Sequence, residues 1–257
     1  MANILLKKSY LLKDLKEIKF NDLWNSHGVF TTMWIFGKPA KILFFKKHIK
    51  NLLKSIKIYK INNENIEKKI LKIIKYNLKD NKKYNHLLRI AVNKKIISFS
   101  LRKKLKPKSN FVAKIVNYKR VQPEFKNLKY KKILNYLSKI NSSRSDIFLC
   151  VNKKILESAT SNILFIKNNR IFSPVKNFYK GITLKFFEKS VGKIVKKNIF
   201  INSLNNYDEI ILVGSGKGVV SVESINQPKW ERKSLRTYRY LLKIYNRAVT
   251  KCPFYNG

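Results

Sequence analysis

Apolar and polar positions change rhythm along the chain, and the changes predict its elements. Residues 30–36 (FTTMWIF) form a β-branched and aromatic run that predicts a strand, with Gly37-Lys38-Pro39 as the turn after it. Residues 42–45 are a second strand-like run, and a helical stretch follows over 48–59. Ile66, Ile70, Ile73, Ile74 and Leu78 recur at helical spacing, so 64–78 is expected to be an amphipathic helix. Residues 88–92 and 96–101 read as paired strands. Polar, proline-containing stretches follow around Pro107 and over 117–123, and the second is the expected crossing between domains.

Beyond that crossing the texture changes. Residues 126–140 predict a helix, 147–151 a strand, and Asn152-Lys153-Lys154 a turn into 155–157. Residues 162–166 predict a further strand, with a tight turn at Asn168-Asn169 leading into 170–172. Phe187, Val191, Ile194 and Val195 mark a helix beginning near Gly181. Residues 209–213 are a strand running into the glycine-rich 214–218 (GSGKG), and 235–248 is a closing helix. The expectation is an α+β chain in two parts, 1–117 and 118–257.

Composition changes this picture little. With 257 residues, 44% of them hydrophobic, the chain can bury a real core. Fifty-seven Lys and Arg against 14 Asp and Glu give a formal net charge of +43, a field that would attract polyanions if it were clustered. The lysines are spread along the whole chain, and no nucleic-acid motif accompanies them, so drift of composition is the expected cause and a nucleic-acid partner is not expected. Lysine also interrupts every apolar stretch, which argues against a membrane span. The opening MANILLKKSYLL lacks a secretory pattern, and two cysteines, Cys150 and Cys252, fit a reducing compartment, so a cytoplasmic protein is expected. His27, His48 and His86 have no metal-ligand spacing, and no metal is expected.

Two places could receive an anion. GSGKG fails the P-loop template, because Ile211 and Gly218 stand where that template needs glycine and Ser or Thr. It fails the dinucleotide fingerprint at Val219 as well. What remains is a strand ending in exposed backbone N–H groups, either an anion cradle or an ordinary hairpin turn. Gly181-Ile182-Thr183 opens a predicted helix, where free N–H groups, the dipole and the Thr183 hydroxyl favour a phosphate.

Six segments in order then resemble the class IV (fold type IV) pyridoxal-phosphate family of aminotransferases and aminodeoxychorismate lyases. They are Gly28-Val29-Phe30-Thr31-Thr32, His48-Ile49-Lys50-Asn51-Leu52, Lys126-Asn127-Leu128-Lys129-Tyr130, Glu157 through Phe165 (ESATSNILF), Ser173-Pro174 with Gly181-Ile182-Thr183, and Asp208-Glu209 ahead of the glycine loop. The resemblance implies a two-domain fold like that of D-amino-acid aminotransferase, with a small N-terminal domain and a larger cofactor-binding C-terminal one. It implies pyridoxal 5'-phosphate held by Lys126 as a Schiff base, with Lys129 as the alternative register. Glu157 would keep the pyridine nitrogen protonated, Tyr130 would bond the ring oxygen, and Ile182, Thr183, Ser215 and Gly216 would take the phosphate. Asn51 stands where the family usually has a phosphate-binding arginine, and Lys50, Lys54 and Lys217 are the candidates to compensate. A homodimer acting on a small molecule is also implied.

Within the family, Phe30-Thr31-Thr32 and the proline of 120–126 (RVQPEFK) are more similar to the lyase branch. The expected reaction is therefore cleavage of 4-amino-4-deoxychorismate to 4-aminobenzoate and pyruvate, with Lys126 as general base and acid. Lys94, in a predicted strand where the family often has arginine, would meet a substrate carboxylate, and Thr32 would orient the substrate. The alternatives are an amino-acid aminotransferase, branched-chain or D-specific, and a basic binding protein that has kept the fold without the cofactor.

Overall fold

The computed structural model describes residues 4–61, 64–79 and 81–256, and it divides into two compact units. The first holds Met1–Lys104, Phe125–Lys131 and Lys251–Gly257, and the second holds Leu105–Glu124 and Lys132–Thr250. The boundary expected at 117/118 falls inside the second unit.

The first unit is an antiparallel sheet with helices. Its elements are β1 (Ile4–Leu11), β2 (Glu17–Ile18), β3 (Gly28–Gly37), β4 (Lys41–Ile42), α1 (Phe45–Ile58), α2 (Ile66–Asn77), β5 (Tyr84–Asn93) and β6 (Ile96–Lys103). The strands are ordered β2-β1-β6-β5-β3-β4. Strand side chains alternate between faces, and Met33, Ile35, Leu88, Ile90 and Phe99 bury one face against Leu52 and Ile56 of α1 and Ile70 and Ile74 of α2. Thr32 and Arg89, paired across β3 and β5, therefore belong to the opposite face. The second expected strand, over 42–45, is cut short because Phe44 turns left-handed (φ 57°) and starts α1.

The expected helix over 126–140 begins only with α3 (Lys131–Ser138). Residues 126–128 are instead extended against β3, with Phe30 N donating to Lys126 O (2.9 Å) and Leu128 N donating to Gly28 O (2.9 Å). Backbone groups satisfied by a neighbouring strand have no need of a helix, and this pairing overrides the local pattern.

The second unit contains most of α3 and β7 (Val112–Asn117), β8 (Ser145–Val151), β9 (Lys154–Ser158), β10 (Asn162–Lys167), β11 (Arg170–Ser173), α4 (Ile182–Ser190), β12 (Ile194–Lys196), β13 (Ile199–Phe200), β14 (Glu209–Gly214), β15 (Gly218–Ser221), β16 (Ser224–Ile225), β17 (Trp230–Glu231) and α5 (Arg236–Thr250). Two sheets form, β12-β11-β10-β14-β15 and β13-β9-β8-β7-β16-β17. Phe111, Phe148, Phe165, Leu212, Val220 and Trp230 fill a core drawn from both. Asn168 and Asn169 both take positive φ (49° and 60°), as the tight β10–β11 turn requires. The helix expected to reach Val195 stops at Ser190. Gly192, at φ +75°, turns the chain so that Ile194–Lys196 can pair in parallel with β11.

Gly28 is the tightest point in the first unit. A Cβ there would run into Val92 O and lie 2.7 Å from Leu128 Cδ1. Gly28→Ala should therefore lower stability by about 1–3 kcal/mol, the usual cost of overpacking. Urea denaturation reads this as a lower midpoint, and an unchanged midpoint would contradict the packing described.

Candidate active site

The first unit gathers one group of the expected residues. Lys126 is half-buried on the strip paired with β3, and its Nζ lies 5.0 Å from the centroid of the Phe30 ring. Next to it His48, buried on α1, shares a 2.8 Å hydrogen bond through Nδ1 with Thr31 Oγ1. Burial, with the charge of Lys126 behind it, pulls His48 down to about 3, so the imidazole is neutral at physiological pH. Lys126 is therefore flanked by an aromatic ring and an uncharged imidazole. Lys129 is exposed and donates to Asn25 O (3.1 Å). Asn51 is half-buried on α1, one turn below His48.

Tyr130 is buried in an aromatic cluster, stacked on Trp24 (centroids 5.6 Å apart) and edge-on to Phe30 (5.6 Å). Arg89 completes that cluster and was not among the expected residues. Its guanidinium lies 3.7 Å over the Trp24 ring and 5.2 Å from Phe30, and one nitrogen donates to Asp22 O (2.8 Å). Its Nε is buried and has no partner, and no carboxylate of the described residues lies within ion-pair distance. Burial, reinforced by the charge of Arg102 and eased by Asp22, draws its pKa down to about 9, which still leaves it charged at neutral pH. A buried cation with an unused donor and no carboxylate in ion-pair contact is a ready anchor for a substrate carboxylate. Lys94, expected in a strand for that purpose, lies exposed in the turn after β5. The signal for Arg89 was legible as one arginine inside the apolar run 87–92 (LLRIAV). Thr32, half-buried, is its cross-strand neighbour.

The second unit gathers the rest. Glu157 on β9 accepts from Arg120 Nε (2.7 Å) and Nη2 (3.0 Å) and from Tyr179 N (3.3 Å). Both side chains of this ion pair are almost fully buried, 4% and 6% exposed. A carboxylate so bound is held ionised, as a partner for a protonated ring nitrogen must be. Asn162, the first residue of β10, fixes the start of α4. Its Oδ1 accepts from Gly181 N (3.0 Å) and its Nδ2 donates to Tyr179 O (2.6 Å).

At that start Ile182 and Thr183 are buried, and the Thr183 hydroxyl has no partner. A buried, unpaired hydroxyl in the first turn of a nine-residue helix fits a bound phosphate oxygen. Ser215 and Gly216 form the turn of the β14–β15 hairpin. Asn162 pairs with Val213 of β14, so the α4 start and the hairpin lie on either side of one β10 terminus. The residues present thus fit a phosphate-bearing cofactor. Lys217 turns its Nζ to Ser142 O (2.8 Å).

Comparison with known proteins follows the same line. The family model described as "Amino-transferase class IV" matches residues 28–225. No curated protein sequence matches. A branched-chain aminotransferase from Thermoproteus uzoniensis, solved with norvaline, superposes with a TM-score of 0.77 at 17% identity, covering 95% of each chain. A hypothetical aminotransferase from Mycobacterium tuberculosis in its PLP-bound form gives 0.69 at 13% identity, over 94% of this chain and 98% of that one. A Legionella pneumophila protein with the provisional name 4-amino-4-deoxychorismate lyase gives 0.71 at 17% identity, over 92% and 97%. At these identities the structures establish a shared fold.

Removing Arg120 would leave the Glu157 charge buried and uncompensated. Arg120→Met should cost about 3–5 kcal/mol, and adding Glu157→Gln should recover most of it. Urea midpoints of the single and double variants check this, and equal loss in both would show that the pair acts only through packing.

Proposed function

Because the chain belongs to the class IV aminotransferases, a family of pyridoxal-phosphate enzymes, we propose that it cleaves 4-amino-4-deoxychorismate to 4-aminobenzoate and pyruvate. The observation that carries this reading is Arg89, a buried guanidinium with an unused Nε, stacked on Trp24 beside Phe30 and Tyr130. Flat aromatic walls next to a cation suit an unsaturated ring bearing a carboxylate better than a branched aliphatic side chain.

When bound, the cofactor supplies an electron sink through its protonated pyridine ring. In this reading Glu157 is the group that holds that proton, with Arg120 keeping the carboxylate ionised. Thr183, Ile182, Ser215 and Gly216 take the phosphate. Lys126 holds the cofactor and then moves the proton at its own Nζ, accepting one as the free amine and returning it as the ammonium. Neutral His48 adds no second positive charge beside that amine. Arg89 binds the ring carboxylate, the task first expected of Lys94, and Thr32 across the strand helps to orient the substrate. Tyr130 closes the aromatic wall, and in this reading it bonds the cofactor's ring oxygen. The reading includes a homodimer and a cytoplasmic setting. Among the described residues no helix is long and apolar enough to cross a membrane, and no cluster of side chains could hold a metal ion.

Incubated with 4-amino-4-deoxychorismate, the holoenzyme should release 4-aminobenzoate and pyruvate in equal amounts. Lys126→Ala should lower kcat by about 10²–10⁴-fold or more. Arg89→Met should act mainly on KM, raising it by about tenfold or more, as loss of a charge-assisted hydrogen bond does. Transfer of amino groups between glutamate and 2-oxo acids, without aminobenzoate, would instead make the protein an aminotransferase.

A further inference from the structure

Asp146, at the start of β8, is completely buried, and the proposed chemistry gives it no part. Its Oδ1 accepts from Ile147 N (2.8 Å), and its Oδ2 accepts from Ser158 Oγ (3.0 Å) and Thr160 Oγ1 (2.6 Å). Lys217 Nζ lies 4.0 Å from the same Oδ2. A buried carboxylate needs such donors, but these come from two places that matter separately. Ser158 and Thr160 belong to the tight turn between β9 and β10, and Lys217 belongs to the β14–β15 hairpin.

The turn is closed on itself as well. Ser158 N donates to Ser161 O (3.1 Å), and Ser158 Oγ accepts from Ser161 N (2.9 Å). The hairpin rests on this turn without a gap. A Cβ at Gly214 would lie 2.8 Å from Ser161 Oγ and 3.3 Å from Thr160 O. Lys217 fastens the other side of the hairpin, donating to Ser142 O (2.8 Å) with its ammonium 4.7 Å from the Phe111 ring centroid. The backbone of Ser215 and Gly216 is thus held at both ends, at Gly214 by contact with the turn and at Lys217 by charge. Asp146 reaches both supports.

We propose that Asp146 is a positioning residue for the cofactor's phosphate. By fixing the 158–161 turn and Lys217 together, it sets the hairpin N–H groups where a phosphate is received. It does so through Oδ2, the oxygen that meets Ser158, Thr160 and Lys217. The inference rests on the reading of Ser215 and Gly216 as phosphate contacts. It predicts an effect on the phosphate alone, because the partners of Glu157 do not include Asp146.

The test uses the full-length apoprotein and two probes, pyridoxal 5'-phosphate and pyridoxal without the phosphate, titrated by absorbance and by thermal shift. Asp146→Asn keeps the size and one acceptor but removes the charge. Wild type should prefer the phosphorylated probe. In the variant that preference should fall by about tenfold, while affinity for pyridoxal stays within about twofold. Lys217→Met, which cuts the same tie from the hairpin side, should give a fall in the same direction, and it carries the test if Asp146→Asn does not fold. An unchanged preference in a folded variant overturns the inference, whether both affinities drop together or neither does. Wild-type protein that binds neither probe, or shows no preference, overturns the cofactor site itself and this inference with it.

Discussion

A carboxylate buried in the middle of a sheet is tolerable only if something charged is buried with it, and the second unit is organised around that constraint. Glu157 sits in β9 with its side chain 6% exposed, and Arg120 meets it with two nitrogens. The arginine also donates to Pro123 O (2.8 Å), so the stretch 120–123 is tied to β9 through one guanidinium. Tyr179 N adds a third bond to the carboxylate, and Asn162 holds the same 179–181 segment from β10. The start of α4, with its unpaired Thr183 hydroxyl, is therefore located by two neighbours of one ion pair. Lose the pair, and the segment carrying the proposed phosphate contacts loses its reference point.

The same logic explains how a chain of +43 formal charge arranges its few acids. Asp146, Glu157 and Glu209 are the buried carboxylates of the described residues, and all three lie in the second unit. Each accepts from two or more donors. Glu209 accepts from Thr237 N and Tyr238 N (both 2.8 Å) and so caps α5. Most of the lysines, by contrast, are exposed or half-buried, where a charge costs little.

Much of this architecture was readable from the chain. The strand beginning at Gly28, the helix over Ile66–Asn77, the β5–β6 pair, the Asn168-Asn169 turn and the closing helix carry periodicity or turn chemistry strong enough to set them locally. The failures share a cause, which is that long-range contacts outweighed local pattern. Residues 126–128 look helical but pair with β3, and 194–196 look helical but pair with β11. Lys94 was expected to meet the carboxylate and Arg89 was overlooked, although a lone arginine inside the apolar run 87–92 marked it. The family motifs pointed to Lys126, Glu157 and Thr183 as site candidates. Nothing in the sequence could announce Arg120 as the partner of Glu157, since that pairing exists only once 118–123 folds beside β9.

The central claim is that Lys126, half-buried beside Phe30 and neutral His48, is the amine that carries the cofactor. Borohydride reduction of the pyridoxal-phosphate-loaded protein, followed by peptide mapping, tests it directly. The account predicts a phosphopyridoxyl mass on Lys126. The same mass on Lys129, or on no lysine at all, would contradict it.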